Sequence, residues 1–263
     1  MEVKLTRVTM NPVDAIEEAA CNCYDSEPSG GKIMRACYNS GHHSVLEFAN
    51  FTFHITGVSR ALLAQLTRHR HAGYAVRSQR YCNEDGFEYV IPPSIRHNAD
   101  PEAVGSFVYF MQQCENAYEA LQKIGVPNED ARYVLPNACC TTLEFTCNGR
   151  ELIHIMNERL CMRAQWEIRS LCTLIKRAIE EYDEQCAEFA KFLKPKCATL
   201  GYCPEHSSCG AYPKKTDVFN GYNKYKEIYA KFLKYEQFAE DVKSGLIGTG
   251  ELAEDFWTLF CKD

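Results

Sequence analysis

The chain opens on alternation. In MEVKLTRVTM (1–10) apolar and polar residues trade places, which predicts a strand. DAIEEAACNCY, next along, repeats its apolar positions at helical spacing behind Asp14, a candidate cap. A short helix with glycine-bearing loops around it is read in GGKIMRACYNSGHHSVLEF. FANFTFHITG (48–57) alternates again and predicts a strand ending at Gly57. In VSRALLAQLTRHRH (58–71), Val58, Leu62, Leu63 and Leu66 form one helical stripe, so Arg68–Arg70 falls at or near a helix C-terminus. FEYVIPPSI (87–95) reads as a strand closed by prolines. A long helix follows, with Pro101 in its first turn and an end near Lys123. PNEDARYVLPNAC (127–139) predicts a helix stopping at Pro136, and CCTTLEFTCN (139–148) a strand. GRELIHIMNERL (149–160) places Leu152, Ile155, Met156 and Leu160 on one helix face, and helix resumes over 164–193.

From Lys194 the texture changes to a cysteine-bearing, loop-like stretch and then an amphipathic segment over 223–244. We therefore expect a main domain over 1–193 and an extension over 194–263, with no internal repeat.

Composition narrows the function classes. With 46% hydrophobic residues in 263, the chain can bury a sizeable core. The net charge of −6 disfavours sequence-independent binding to a nucleic-acid backbone. No apolar run is long enough to span a membrane, and acids stand where a signal peptide needs its apolar stretch, so a cytoplasmic protein is expected. The 15 cysteines are odd in number and scattered, which reads as reduced thiols. Cys197, Cys203 and Cys209 lie near His206, but their intervals are wider than zinc sites use, and no metal is expected.

Three polar constellations stand out. RHRHAGYAVRSQRY (68–81) concentrates Arg68, Arg70, Arg77 and Arg80 in an acidic chain. Like charges so close repel, so either an anion sits among them or the stretch is a solvated surface. Gly73 would allow a turn that folds the second pair back on the first, with Ser78 as a further donor. NGRELIHIMNERL offers Asn148, Arg150, His154 and Arg159, either toward one ligand or as a polar face with ion pairs. GHHSVLEF carries adjacent histidines, which point apart and suit a polar ligand contact better than a metal.

Read together, these segments resemble the flavin-dependent thymidylate synthase family. Arg68-His69-Arg70, seven residues, then Ser78 with Arg80-Tyr81 is similar to that family's signature, and HHSVLEFANFTF, ARYVLP and NERLCMRAQWEI resemble three further blocks in order. The resemblance implies an α+β fold with a central, mostly antiparallel sheet and flanking long helices, followed by the C-terminal extension. It also implies reductive methylation of dUMP to dTMP, with methylenetetrahydrofolate as carbon donor, NADPH as reductant and FAD as hydride carrier, in a homotetramer with shared sites. By position, Arg159 matches the arginine that polarises the pyrimidine, with Ser78 and His42 also at the reacting centre. Gln65, Arg68, Arg77, Ser78, Gln79, Arg80, Arg132 and Arg159 match nucleotide contacts, and Glu47 a carboxylate on the folate side. Ser44, Arg68, His69, Arg70, the backbone of Val76, Asn148, Arg150 and His154 match flavin contacts. Ala75-Val76-Arg77 departs from the family's usual polar residues, and His154 stands where asparagine is usual. The rival readings are a flavin-binding oxidoreductase without methyl transfer and a nucleotide- or RNA-binding module.

Overall fold

The computed structural model describes residues 1–23 and 25–221; the predicted amphipathic segment over 223–244 lies outside them. The chain divides into two compact units, Met1–Thr199 and Leu200–Asp263.

In the first unit the elements run β1 (Glu2–Val8), α1 (Pro12–Cys21), α2 (Lys32–Asn39), a 3-10 turn (His43–Phe48), β2 (Asn50–Ser59), α3 (Arg60–Leu66), β3 (Ala72–Val76), α4 (Pro93–Arg96), α5 (Glu102–Lys123), α6 (Asn128–Ala131), a 3-10 turn (Arg132–Val134), β4 (Cys140–Asn148), α7 (Gly149–Arg159), α8 (Trp166–Glu180) and α9 (Glu184–Ala190). The four strands form one sheet in the order β1-β2-β4-β3, and every pairing is antiparallel.

The period-2 pattern decides which face is buried. Phe51, Phe53 and Ile55 of β2 and Leu143, Phe145 and Cys147 of β4 point to one side, each almost wholly buried. Against them pack Ile16 of α1, Leu152, Ile155 and Met156 of α7, Ile168, Leu171 and Ile175 of α8, and Phe189 of α9. Each fully buried large apolar side chain contributes about 1.5–3 kcal/mol. The Phe51 and Phe189 rings lie 4.8 Å apart, and Tyr74 stacks on Phe145 at 5.5 Å. The other face stays polar, with Thr52 and Thr146 hydroxyls 2.9 Å apart and His54 Nδ1 2.7 Å from Glu144 Oε1.

Four expectations are corrected. Residues 87–95 form no strand: Tyr89 makes only an isolated bridge to Cys139, because Pro92 and Pro93 cannot extend a ladder. Gly73 is not at a turn but inside edge strand β3, where a Cβ would sit 2.9 Å from Thr146 Cγ2; close strand approach, not a bend, calls for glycine. The cap of α1 is Asn11 at φ 50°, with Asp14 in the first turn. The helix expected over 164–193 is two, because Asp183 accepts from the Cys186 amide and restarts the chain as α9.

In the second unit the described residues include an isolated bridge between Cys203 and Lys214, with the Cys203 amide donating to Pro213 at 2.7 Å. The Tyr202 and Phe219 rings lie edge to face at 6.3 Å.

Candidate active site

Two of the sequence constellations meet at the end of the sheet where β3 begins and β4 ends. Ala72 pairs with Cys147, so the Arg68–His71 segment emerges beside Asn148, the residue that caps α7. The segment is pinned from within: the Tyr74 hydroxyl lies 2.9 Å from both the Leu66 and His69 carbonyls. That leaves Arg68, Arg70 and His71 exposed and turns His69 inward, 7% exposed.

His69 and Arg159 hold each other. Arg159, the last residue of α7, donates its Nε–H to His69 Nε2 at 3.0 Å. An accepting Nε2 carries no proton, so the ring is neutral with its hydrogen on Nδ1, 3.9 Å from Glu151 Oε1. Burial, reinforced by the Arg159 and His154 charges, pushes the His69 pKa down to about 4. Arg159 is thereby fixed through Nε, with both Nη groups left unpartnered among the described residues.

Alongside lies a cavity of about 600 Å³ lined by His43, Glu47, His71, Asn148, Arg150, Glu151, Ile153, His154 and Asn157. Its shape depends on Gly149, whose ideal Cβ would lie 2.8 Å from the Leu46 carbonyl and 2.9 Å from the Phe189 ring. Without a side chain there, the 3-10 turn docks on the start of α7, and Glu47 reaches Arg150 at 2.6 Å. Of the residues expected from sequence, Glu47, Asn148, Arg150 and His154 line this cavity. His42 and Ser44 are exposed beside it, and His43 takes the inward place, stacked on Tyr38 with Nε2 3.0 Å from the Tyr38 carbonyl.

The other arginines lie elsewhere. β3 carries the chain away over five residues, about 16 Å at strand rise. At its far end Arg77 donates to Glu84 Oε1 at 3.1 Å, Arg80 pairs with Glu129 at 2.9 Å, and Arg132 Nε donates to the Glu129 carbonyl at 3.0 Å. Gln79 Nε2 lies 3.7 Å from Cys139 Sγ, and Ser78 Oγ accepts from the Arg80 amide at 3.3 Å. Val76 pairs with Leu143 inside β3, so only its backbone is polar, and Gln65 stands half-buried on α3. The turn expected at Gly73 to fold the second arginine pair back on the first is absent, and within one chain these guanidinium groups form two sets at opposite ends of one edge strand.

The family resemblance assigned no role to His43, His71, Tyr74, Glu151 or Glu129, although the adjacent histidines already suited a polar ligand contact. His71 and Tyr74 lie within the signature itself, but only the fold shows which side chains turn inward. A larger cleft of about 710 Å³, lined among others by Tyr89, Ile91, Arg96 and Trp166, holds none of the expected residues. Among the described residues no group of three His, Cys, Asp or Glu side chains could hold a metal ion. Nor, among the described residues, is any helix long and apolar enough to cross a membrane.

The sequence model of the family described as thymidylate synthase complementing protein matches residues 4–183. A flavin-dependent thymidylate synthase from Geobacter sulfurreducens is 42% identical, over 80% of this chain and 94% of its own. One from Nitratidesulfovibrio vulgaris is 41% identical, over 72% of this chain and 79% of its own. Among solved structures, thymidylate synthase X from Helicobacter pylori with FAD and dUMP superposes with a TM-score of 0.58 at 24% identity, covering 73% of this chain and 97% of that one, a likeness of fold. With its signature segment, its antiparallel sheet and these relatives in agreement, the chain belongs to the flavin-dependent thymidylate synthase family.

Proposed function

We propose that the protein converts dUMP to dTMP by reductive methylation, taking the carbon from methylenetetrahydrofolate and the reducing equivalents from NADPH through FAD. The observation that carries this reading is Arg159, an always-charged group anchored through Nε to a neutral histidine, at the end of the helix whose Arg150 and His154 line the polar cavity.

The donor set of that cavity fits a dinucleotide. Arg150 supplies a cation for the diphosphate; His43, His71, His154, Asn148 and Asn157 supply uncharged or switchable donors. At about 600 Å³ it falls in the range of ligand clefts, roughly 300–1,000 Å³. When bound there, the flavin supplies hydride transfer. Arg150 would leave Glu47 to meet the diphosphate, and Glu47 would turn to the folate side.

Arg159 acts on the pyrimidine. Placed against the ring's N3 and adjacent carbonyl oxygen, its charge stabilises the electron-rich form whose C5 attacks the one-carbon unit. His69, unable to accept and donate at the same nitrogen, keeps that guanidinium aimed. Arg80 and Arg132 serve as phosphate and base clamps, helped by Ser78, Gln79, Gln65 and the backbone near Arg77. Because these lie a strand's length from Arg159, one complete site needs more than one copy of the chain, which supports a homotetramer with shared sites.

Purified protein should be yellow, with a flavin band released by heat, and should release tritium from C5-tritiated dUMP only with NADPH and methylenetetrahydrofolate present. NADPH oxidation without tritium release would instead mark a flavin oxidoreductase lacking methyl transfer. A colourless protein that takes up no added FAD refutes both readings.

A further inference from the structure

We infer that Glu129 is a positioning residue for the nucleotide: it holds Arg80 and Arg132 in fixed relation, so that their free guanidinium edges make one anion clamp. The inference rests on the functional reading above, which gives both arginines to dUMP.

Three donors converge on Glu129. Arg80 places Nε and Nη2 at 3.0 and 2.9 Å from the same carboxylate oxygen, Oε2. Arg132 places Nε at 3.0 Å from the backbone carbonyl of the same residue. A guanidinium has five N–H groups. The contacts to Glu129 occupy the side edge of Arg80 and the Nε of Arg132. The Nη1 of Arg80 and both Nη groups of Arg132 have no partner among the described residues. A carboxylate competing with phosphate would be expected on the terminal fork, the edge suited to bidentate oxyanions. Here it takes the other edge. Tyr81 fixes the plane of the group, its ring centroid 5.1 Å from Arg80 Cζ.

Glu129 can serve this way only if its own backbone is held. Helix α6 is too short to be rigid alone, but Ala131 is wholly buried and Gln122 of α5 bonds Asn128 Oδ1 at 2.8 Å. The same Gln122 amide lies 2.8 Å from Asn83 Oδ1, in the loop that follows Arg80. One turn further back on α5, the Tyr118 hydroxyl accepts from the Glu84 amide at 3.3 Å, and Glu84 in turn binds Arg77. The loop bearing Arg77 and Arg80 and the turn bearing Arg132 therefore hang from one face of α5, and Glu129 closes the gap between them. Arg80 and Glu129 are each about half exposed, so their pairing adds little to folding, and its consequence belongs to binding.

The test compares Glu129→Gln and Glu129→Asp with the wild type, all as full chains loaded with FAD. Binding of dUMP and of deoxyuridine is measured by calorimetry, and KM and kcat by tritium release. Glu129→Gln should weaken dUMP by about tenfold, the scale of one charge-assisted hydrogen bond, and raise KM in parallel. Its kcat at saturating dUMP should stay within about twofold, since only ground-state holding is lost. Glu129→Asp should recover part of the affinity. Deoxyuridine, which lacks the phosphate, should bind wild type and Glu129→Gln alike. Equal or tighter dUMP binding by Glu129→Gln overturns the inference, and so does an equal loss for deoxyuridine. If Glu129→Gln does not fold, Gln122→Ala releases the same turn without removing a charge, and an unchanged KM there counts against the idea. Wild-type protein that binds no dUMP overturns the functional reading together with this inference; wild-type binding with an unaltered variant overturns the inference alone.

Discussion

Acid should loosen this protein through one side chain, His69. Its neighbours are the Arg159 guanidinium, donating to Nε2 at 3.0 Å, the His154 ring at 6.0 Å and Glu151 Oε1 at 3.9 Å from Nδ1. In the fold its pKa is pushed from 6.5 down to about 4, first by burial and then by Arg159 and His154. Between those values the unfolded chain binds a proton that the native chain refuses. Stability therefore rises with pH across this window: it is complete above about 6.5 and is lost as pH falls toward 4. Each tenfold difference in proton affinity between the folded and unfolded chain is worth about 1.4 kcal/mol, so moving from about pH 7 to about pH 5 should cost about 2 kcal/mol through this group. Glu158 tempers the effect, since its negative charge favours the protonated ring. The variant His69→Gln keeps an acceptor for Arg159 but cannot titrate. Urea unfolding of both proteins at the two pH values, at matched chain concentration, isolates His69 because all other groups are common. Wild type should lose about 2 kcal/mol more than His69→Gln on acidification. Parallel losses in the two proteins would show that His69 protonates freely in the fold, and the account of a neutral, Arg159-bound imidazole would be wrong.

Other outcomes follow from single contacts. Arg159→Ala should lower tritium release by roughly a hundredfold or more, the scale of a lost charge-stabilising donor, with circular dichroism and flavin uptake unchanged. Gly149→Ala must push back the Leu46 carbonyl at 2.8 Å and the Phe189 ring at 2.9 Å. It should cost about 1–3 kcal/mol in thermal or urea unfolding, and flavin retention should fall because the turn bearing Glu47 shifts. Glu17 is buried and accepts from the amides of Ser29, Ile33 and Met34 at 2.6, 2.8 and 3.1 Å. Glu17→Ala should therefore destabilise by about 3 kcal/mol or more, because several buried donors lose their acceptor together, and Glu17→Gln by less. Burial raises the Glu17 pKa, but the Ser29, Met34, Gly31 and Ile33 amides outweigh it and hold it below its ordinary value. That contribution is present at neutral pH and is lost in acid, as unfolding at successively lower pH would show.

Much of this architecture could be read from one-dimensional spacing. Strands β1, β2 and β4 and helices α5 and α7 follow from periods that any half-buried element of their length must obey, because burial on one face forces period 2 in a strand and 3.6 in a helix. The residue types around 68–81 and 148–159 marked these segments but left a ligand site and a solvated polar face both open, and the resemblance to a known family chose between them. What spacing could not supply was direction. Gly73 has the composition of a turn, yet pairing with Thr146 makes it part of a strand, and that strand separates Arg68 from Arg80 rather than folding them together. His69 sits among exposed cations in sequence but inward in space, because Tyr74 captures two carbonyls of the turn and Arg159 arrives from a helix 90 residues on. Glu129 gains its meaning only from the side chains of α5 that hold two distant loops side by side. Local periodicity depends on neighbours along the chain and is legible there; which edge of a guanidinium is free depends on partners brought in by packing, and only the tertiary structure decides that.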